Sequence, residues 1–277
     1  MLWELVAENF RLTGKIIVMV TVFMIVIDYL ELRFEDQIHR VLTGKPVNQY
    51  VMASILGAIP GCIDAFLVVS LYIHGVVGFG ALVAVMLSTA GDEAFVMLAM
   101  APEAAYKIFA ILVPLGIVGG FLANMVAKRF KIKTGEYHKP MEEVDESNFL
   151  KKHVYGHIFK EHIPRLFIWI FLTLIVIEVL IQRYDLASLI EGLPVSTMMV
   201  IAALVGVIPE SGPHMVFLVL YSRGLIPFSV LLVSTLSQDG HGLLPLLSHS
   251  LKDTLYVQLF TTGFSLIVGL ALILMGV

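Results

Sequence analysis

The sequence predicts an all-α polytopic membrane protein made of two similar halves, in which broken or re-entrant helices meet near the middle of the bilayer. Three observations carry that reading. Of the 277 residues, 58% are hydrophobic and 14% charged, against about 25% charged in an ordinary soluble domain, and the mean hydropathy is +0.90. Too little charge is present to cover a water-facing surface of this size. Sliding the chain by 149 positions aligns residues 51–120 with 200–269 without a gap, with 15 identities in 70 pairs. These include Gly57/Gly206, Pro60/Pro209, Tyr72/Tyr221, Gly75/Gly224, Phe79/Phe228, Ser88/Ser237 and Gly91/Gly240, which apolar composition alone does not align. Finally, corresponding apolar segments of the two halves are interrupted at their centres by Pro, Gly and acidic residues.

At about 20 residues per crossing, the apolar segments fall at 15–32, 50–73, 78–100 and 104–127, and again at 166–182, 197–222, 226–247 and 254–276. Residues 1–15 carry Glu4, Glu8 and Arg11 and lack the short apolar core of a cleaved signal peptide, so none is expected. The first segment meets its mate through Ile25-Val26-Ile27-Asp28 and Ile175-Val176-Ile177-Glu178, with one residue of slip. The second is broken by Pro60-Gly61 in one half and by Pro209 to Pro213 in the other. The third is broken at Gly91 and at Gly240 to Gly242, while the fourth runs on in both halves. Pieces of about ten residues reach only halfway across a core of about 30 Å, so the breaks are expected at the midplane. A first repeat at 1–127 and a second at 163–277 thus flank a linker at 128–162. The linker holds 14 of the 40 charged residues and four of the nine histidines. Its lysines and arginine assign it to the cytoplasm by the positive-inside rule. A hairpin in the second segment makes the halves inverted and a kinked spanning helix makes them parallel; charge counting does not separate the two.

Paired breaks in corresponding positions are the sequence pointer to a transporter's site. They read Pro60-Gly61-Cys62-Ile63-Asp64, Pro209-Glu210-Ser211-Gly212-Pro213-His214, Thr89-Ala90-Gly91-Asp92-Glu93 and Gln238-Asp239-Gly240-His241-Gly242. Together they supply the carboxylates Asp64, Asp92, Glu93, Glu210 and Asp239, the imidazoles His214 and His241, the Cys62 thiol and the Gln238 amide, with no Lys or Arg. That set asks for a cation. Carboxylate oxygens suit Mn²⁺, and imidazole and thiolate add affinity for Fe²⁺, Co²⁺, Ni²⁺ or Zn²⁺. A single intramembrane Asp is readily a packing hydrogen bond and a single Pro-Gly merely a kink. Ionisable groups at this depth, however, cost about 2.5 kcal/mol or more each and mark pathways. Cys62 also reads as a small buried apolar residue. Asp28 and Glu178, at matching places on the first helices, read equally as a proton relay or as water-facing side chains. His153, His157 and His162 read as a solvated face of the linker, and His249 stays outside the site.

At these motifs the chain resembles the family of ten-helix heavy-metal exporters, whose members carry the labels manganese transporter and arsenic efflux protein. The resemblance runs over nearly the whole chain and rests on Ile59 to Asp64, Thr89 to Phe95, Ile208 to His214 and Ser237 to Gly242. It implies export of a divalent metal. Ten helical pieces arise when each interrupted second segment counts as two, so the resemblance also implies hairpins and inverted halves. Arsenite would seek several thiols, and one is present.

The expected function is proton-coupled alternating-access transport of a divalent transition metal, Mn²⁺ favoured, in the plasma (inner) membrane. The metal is cargo; no resident cofactor is expected, and a homo-oligomer is left open. Net charge is −4 with no basic stripe, which excludes nucleic acid as the main partner. Alternatives are an organic-solute or arsenical carrier that uses the carboxylates for proton coupling, and an intramembrane aspartyl-type protease built on a pair such as Asp92 and Asp239. The breaks hold no aromatic residue in their cores and the chain has no H-E-x-x-H stretch, so neither an organic solute nor metalloprotease chemistry is favoured and no enzyme is expected.

Overall fold

The computed structural model describes residues 2–42, 44–61, 63–129, 163–184, 188, 190, 192–240 and 242–276; within these, the side chains of residues 2–4, 27–40, 63–64 and 181–184 lie outside the description. The linker predicted at 128–162 therefore falls almost wholly outside it. The described elements are helical: α1 (Leu2–Leu42), α2 (Pro46–Ala58), α3 (Ile63–Ile73), α4 (Phe79–Ser88), α5 (Glu93–Met100) and α6 (Pro102–Arg129), then α7 (Ile163–Tyr184), α8 (Val195–Val205), α9 (Met215–Ser222), α10 (Phe228–Ser237), α11 (Leu243–His249) and α12 (Leu251–Leu274). The starts of α2, α4 and α6 recur at those of α8, α10 and α12 with the same spacing of 149 that aligns the sequence, while α9 and α11 begin three residues and one residue later than that spacing places them. One expectation changes. The first apolar segment, read as 15–32, is the middle of a 41-residue helix about 60 Å long; helical geometry outlasts the apolar run because the charged flanks are still good helix formers.

Outer faces are apolar at helical spacing, as lipid requires. Val18, Val22 and Val26 on α1, Ile168, Leu172 and Val176 on α7, and Leu251, Leu255 and Leu259 on α12 are all exposed. By contrast every residue of α4 is buried, as is nearly all of α10. These two are the axes of the halves. Among the described residues five stretches are long and apolar enough to cross a membrane: Leu5–Val26, Phe79–Met100, Pro102–Arg129, Ile163–Leu180 and Leu251–Leu274.

Close approaches at glycine set the directions of the helices. A β-carbon at Gly80 would fall 2.7 Å from Tyr50 Cε1, and one at Gly57 would fall 2.6 Å from the Val85 carbonyl and 3.0 Å from Ser88 Cβ. Early residues of α2 thus face early residues of α4, and late face late, so the two helices run parallel. Gln49, near the start of α2, reaches the Val76 carbonyl (3.5 Å) and accepts from Gly78 N (3.4 Å) in the turn that opens α4. Since α2 and α4 begin at one end, α3 must return to that end between them, and α2–α3 is a re-entrant hairpin. The second half repeats this: a β-carbon at Gly206 would meet Ser237 Cβ at 2.7 Å, and one at Gly269 would meet Val233 and Met199. Consequently α8–α9 is a hairpin as well.

In the first half α6 runs antiparallel to both. Gly120 lies against Gly80, where a β-carbon would come within 2.5 Å of the carbonyl, and Gly116 lies against Ala84 and Ser88. Small residues here let backbones touch, the packing that replaces hydrophobic association inside a bilayer.

Candidate functional site

Each axis helix stops at a break of the same shape. Thr89 closes α4 and Gln238 closes α10, both in extended conformation. Two residues on, Gly91 and Gly240 take φ of 51° and 55°, a left-handed turn that side chains with a β-carbon resist. The chain then re-enters a helix at α5 or α11. The hairpin breaks lie beside these turns. Gly57 abuts Ser88 and Gly206 abuts Ser237, while a β-carbon at Gly240 would sit 3.6 Å from Ser211 Oγ and one at Gly242 would press on Ala65 Cβ. Four breaks, two from each half, therefore converge at one level.

Here the two halves exchange a hydrogen bond. Gln238 Nε2 donates to Glu93 Oε2 at 2.9 Å and to the Ala90 carbonyl at 3.3 Å, joining the α10–α11 break to the α4–α5 break. Glu93 and Gln238 are both fully buried. The neighbouring Asp239, 1% exposed, accepts from Thr261 Oγ1 of α12 at 3.4 Å. His214 is buried, with Nδ1 3.1 Å from Ser234 Oγ on α10. What remains is a set of buried polar atoms with no hydrogen-bond partner among the described residues: Glu93 Oε1, Gln238 Oε1, Asp239 Oδ1, Ser211 Oγ and His214 Nε2. Buried polar groups are nearly always paired, and four of these five are oxygens.

Of the residues singled out in the sequence, Glu93 and Gln238 are in direct contact. Asp92 is buried beside them at the start of α5, and Glu210 is half-buried between α8 and α9. Cys62 and His241 lie outside the described residues, as do the side chains of Asp28 and Asp64. Among the described residues no three His, Cys, Asp or Glu side chains stand close enough together to hold a metal ion. Glu178 forms an ion pair of 2.8 Å with Arg223, the residue that ends α9.

Sequence reasoning missed Thr261, Ser234 and Trp169. The hydroxyls sit among others in apolar helices, Thr261 next to Thr262 and Ser234 next to Thr235, where no spacing distinguishes a site hydroxyl from one bonded to its own helix. Thr261 does both, reaching the Val257 carbonyl at 3.1 Å as well. Trp169 comes from α7, and its ring lies where a β-carbon on Gly212 would go. The breaks contain no aromatic residue of their own, yet one is packed against them.

Outer helix faces that are apolar over long stretches, half-length helices and a buried acidic centre define a multi-pass membrane protein with a polar site at the level of its helix breaks. The model of a family described as "Putative, 10TM heavy-metal exporter" matches residues 12–182 and again residues 136–275. The chain belongs to this family, and so to the heavy-metal exporter class of membrane transporters. No curated protein and no solved structure matches it significantly.

Proposed function

We propose that the protein exports a divalent transition-metal cation, Mn²⁺ foremost, by alternating access in exchange for protons. One observation carries the reading: Glu93 from one half and Asp239 from the other are buried at the converging breaks, each with one oxygen held by a neighbour and the other with no partner among the described residues. Two such carboxylates match the charge of a divalent ion, and no Lys or Arg occurs in the four breaks to neutralise them. Because carboxylates shed protons to take a metal, release of the ion on one side and reprotonation from that side provide the exchange. Asp92, Glu210 and His214 complete the polar environment, and Cys62, Asp64 and His241 belong to the same breaks in sequence.

Alternating access between inverted repeats is supported by one contact between the halves. Tyr72 OH, at the end of α3, donates to Asp253 Oδ2, in the first turn of α12, at 3.1 Å. The end of α3 adjoins the start of α4, where α6 finishes. Its mate α12 begins there instead. On this reading α6 and α12 point in opposite directions, and the basic end of α6, with Lys128 and Arg129, leads into a cytoplasmic linker.

The test is flux of Mn²⁺, Fe²⁺, Co²⁺, Ni²⁺, Zn²⁺ and Cd²⁺ into proteoliposomes, with and without a proton gradient. Saturable flux of one or a few of these, accompanied by proton counterflow and lost in Glu93→Gln, supports the proposal. A folded protein that moves none of them under either gradient refutes it.

A further inference from the structure

The orientation of the Gln238 amide follows from chemistry. Its two neighbours, the Glu93 carboxylate at 2.9 Å and the Ala90 carbonyl at 3.3 Å, are both acceptors. Only the NH₂ end can face them, so the carbonyl Oε1 must point the other way. That oxygen is buried and has no partner among the described residues, as is true of Glu93 Oε1. One amide thus does two things: it grips a carboxylate of the opposite half, and it presents a neutral oxygen next to that carboxylate.

The repeat sharpens this. Counting 149 residues back, Gln238 corresponds to Thr89, Glu93 corresponds to Gly242, and Asp239 corresponds to Ala90. The duplicated backbone could hold two such bridges, but side chains for only one exist. The Gln238–Glu93 bridge is therefore no by-product of the shared fold.

We propose that Gln238 is the positioning and specificity-determining residue of the cation site, fixing Glu93 and adding an uncharged oxygen to the donor set. Oxygen donors favour hard ions of the Mn²⁺ kind, whereas imidazole or sulfur in the same place favours Zn²⁺ and its softer neighbours. Being neutral, the amide adds an oxygen beside Glu93 without adding charge to the site. This inference rests on the proposed transport of a divalent metal and adds the means by which the ion is chosen.

The experiment compares wild-type protein with Gln238→His and Gln238→Met in two readouts: Mn²⁺ and Zn²⁺ binding to purified protein, and flux in proteoliposomes. Gln238→Met keeps the length and removes both amide functions; it should weaken Mn²⁺ binding by about tenfold or more, the scale of lost support at metal sites. Gln238→His should shift the Mn²⁺-to-Zn²⁺ binding ratio toward Zn²⁺ by about tenfold. Gln238→Asn, read alongside, restores the amide on a shorter stem and should recover preference for Mn²⁺ more than it recovers affinity. If the wild type binds Mn²⁺ and both His and Met variants, still helical and monodisperse, keep its affinity and its preference, the inference is wrong while the transport reading stands. If the wild type binds and carries no divalent metal, the reading beneath it falls and the inference with it.

Discussion

Residues 46–129 and 195–274 run through the same order of helices and breaks and differ in the side chains they place there. Hairpin, axis helix and spanning helix recur at a spacing of 149, down to glycines at 91 and 240 with φ of 51° and 55°. At the breaks the chemistry diverges. Where the second half has Asp239 held by Thr261, the corresponding first-half residues are Ala90 and Leu112. Where it has His214 beside Ser234, they are Ala65 and Val85. Conversely Glu93 of the first half corresponds to Gly242. The glycines of the two left-handed turns at 91 and 240, and those of the close approaches at 57 and 206, occur in both copies. Each buried carboxylate occurs in one copy only, and a second would cost free energy wherever no partner or cargo offsets it.

The comparison can be broken at its most sensitive point by exchanging lesions between equivalent positions. Asp239→Asn should lower metal affinity by about a hundredfold or more, since uncoupling one member of a buried charge set costs about 3–5 kcal/mol. Ala90→Ser, a polar change at the equivalent buried position, adds one oxygen and removes no carboxylate, so it should lower metal affinity by about tenfold or less. Equal damage at both would mean that the halves share the chemistry as well as the order of helices.

The spanning helices offer a second contrast. A β-carbon at Gly120 would come within 2.5 Å of the Gly80 carbonyl, which is backbone, whereas at Gly269 it would meet the Val233 methyl at 2.8 Å and Met199 Sδ at 3.0 Å, which are side-chain ends. Gly120→Ala should destabilise the protein by about 2–3 kcal/mol, in the range for overpacking; Gly269→Ala should cost less than about 1.5 kcal/mol because Met199 can move aside. Thermal unfolding in detergent reads the difference.

Gly91→Ala and Gly240→Ala should instead cost the same, about 1–2 kcal/mol each, as both force a β-carbon into the left-handed region. Unequal losses would show that the two turns serve different ends. A smaller effect on binding than that of Asp239→Asn belongs to Thr261→Val, which removes the hydroxyl that touches Asp239 and keeps the packing outline. Loss of one hydrogen bond, about 1 kcal/mol, should weaken metal binding about fivefold, with unchanged melting temperature.

Much of this was legible beforehand. Pro60-Gly61, Gly91, Pro209 and Gly240 announced the breaks, because proline and left-handed glycine interrupt helices in any solvent. The four motifs also named Glu93, Gln238 and Asp239. Hairpin or kinked helix was beyond charge counting, since it depends on which glycine abuts which carbonyl; Gln49 and Tyr50 against the start of α4 decide it. Nor could spacing tell that Gln238 crosses to Glu93 while Glu178 pairs with Arg223, because both acids lie among apolar residues and only tertiary contact assigns them partners. Thr261 lay hidden as one hydroxyl among several on α12.

The central claim is that one carboxylate from each half serves a single cation. A binding cycle for Mn²⁺ on wild-type protein, Glu93→Gln, Asp239→Asn and the double variant addresses it directly. Shared ligation predicts that either single substitution removes nearly all the affinity that the double one removes, so that the effects are far from additive. Additive losses, or Mn²⁺ binding that survives either substitution, would contradict it.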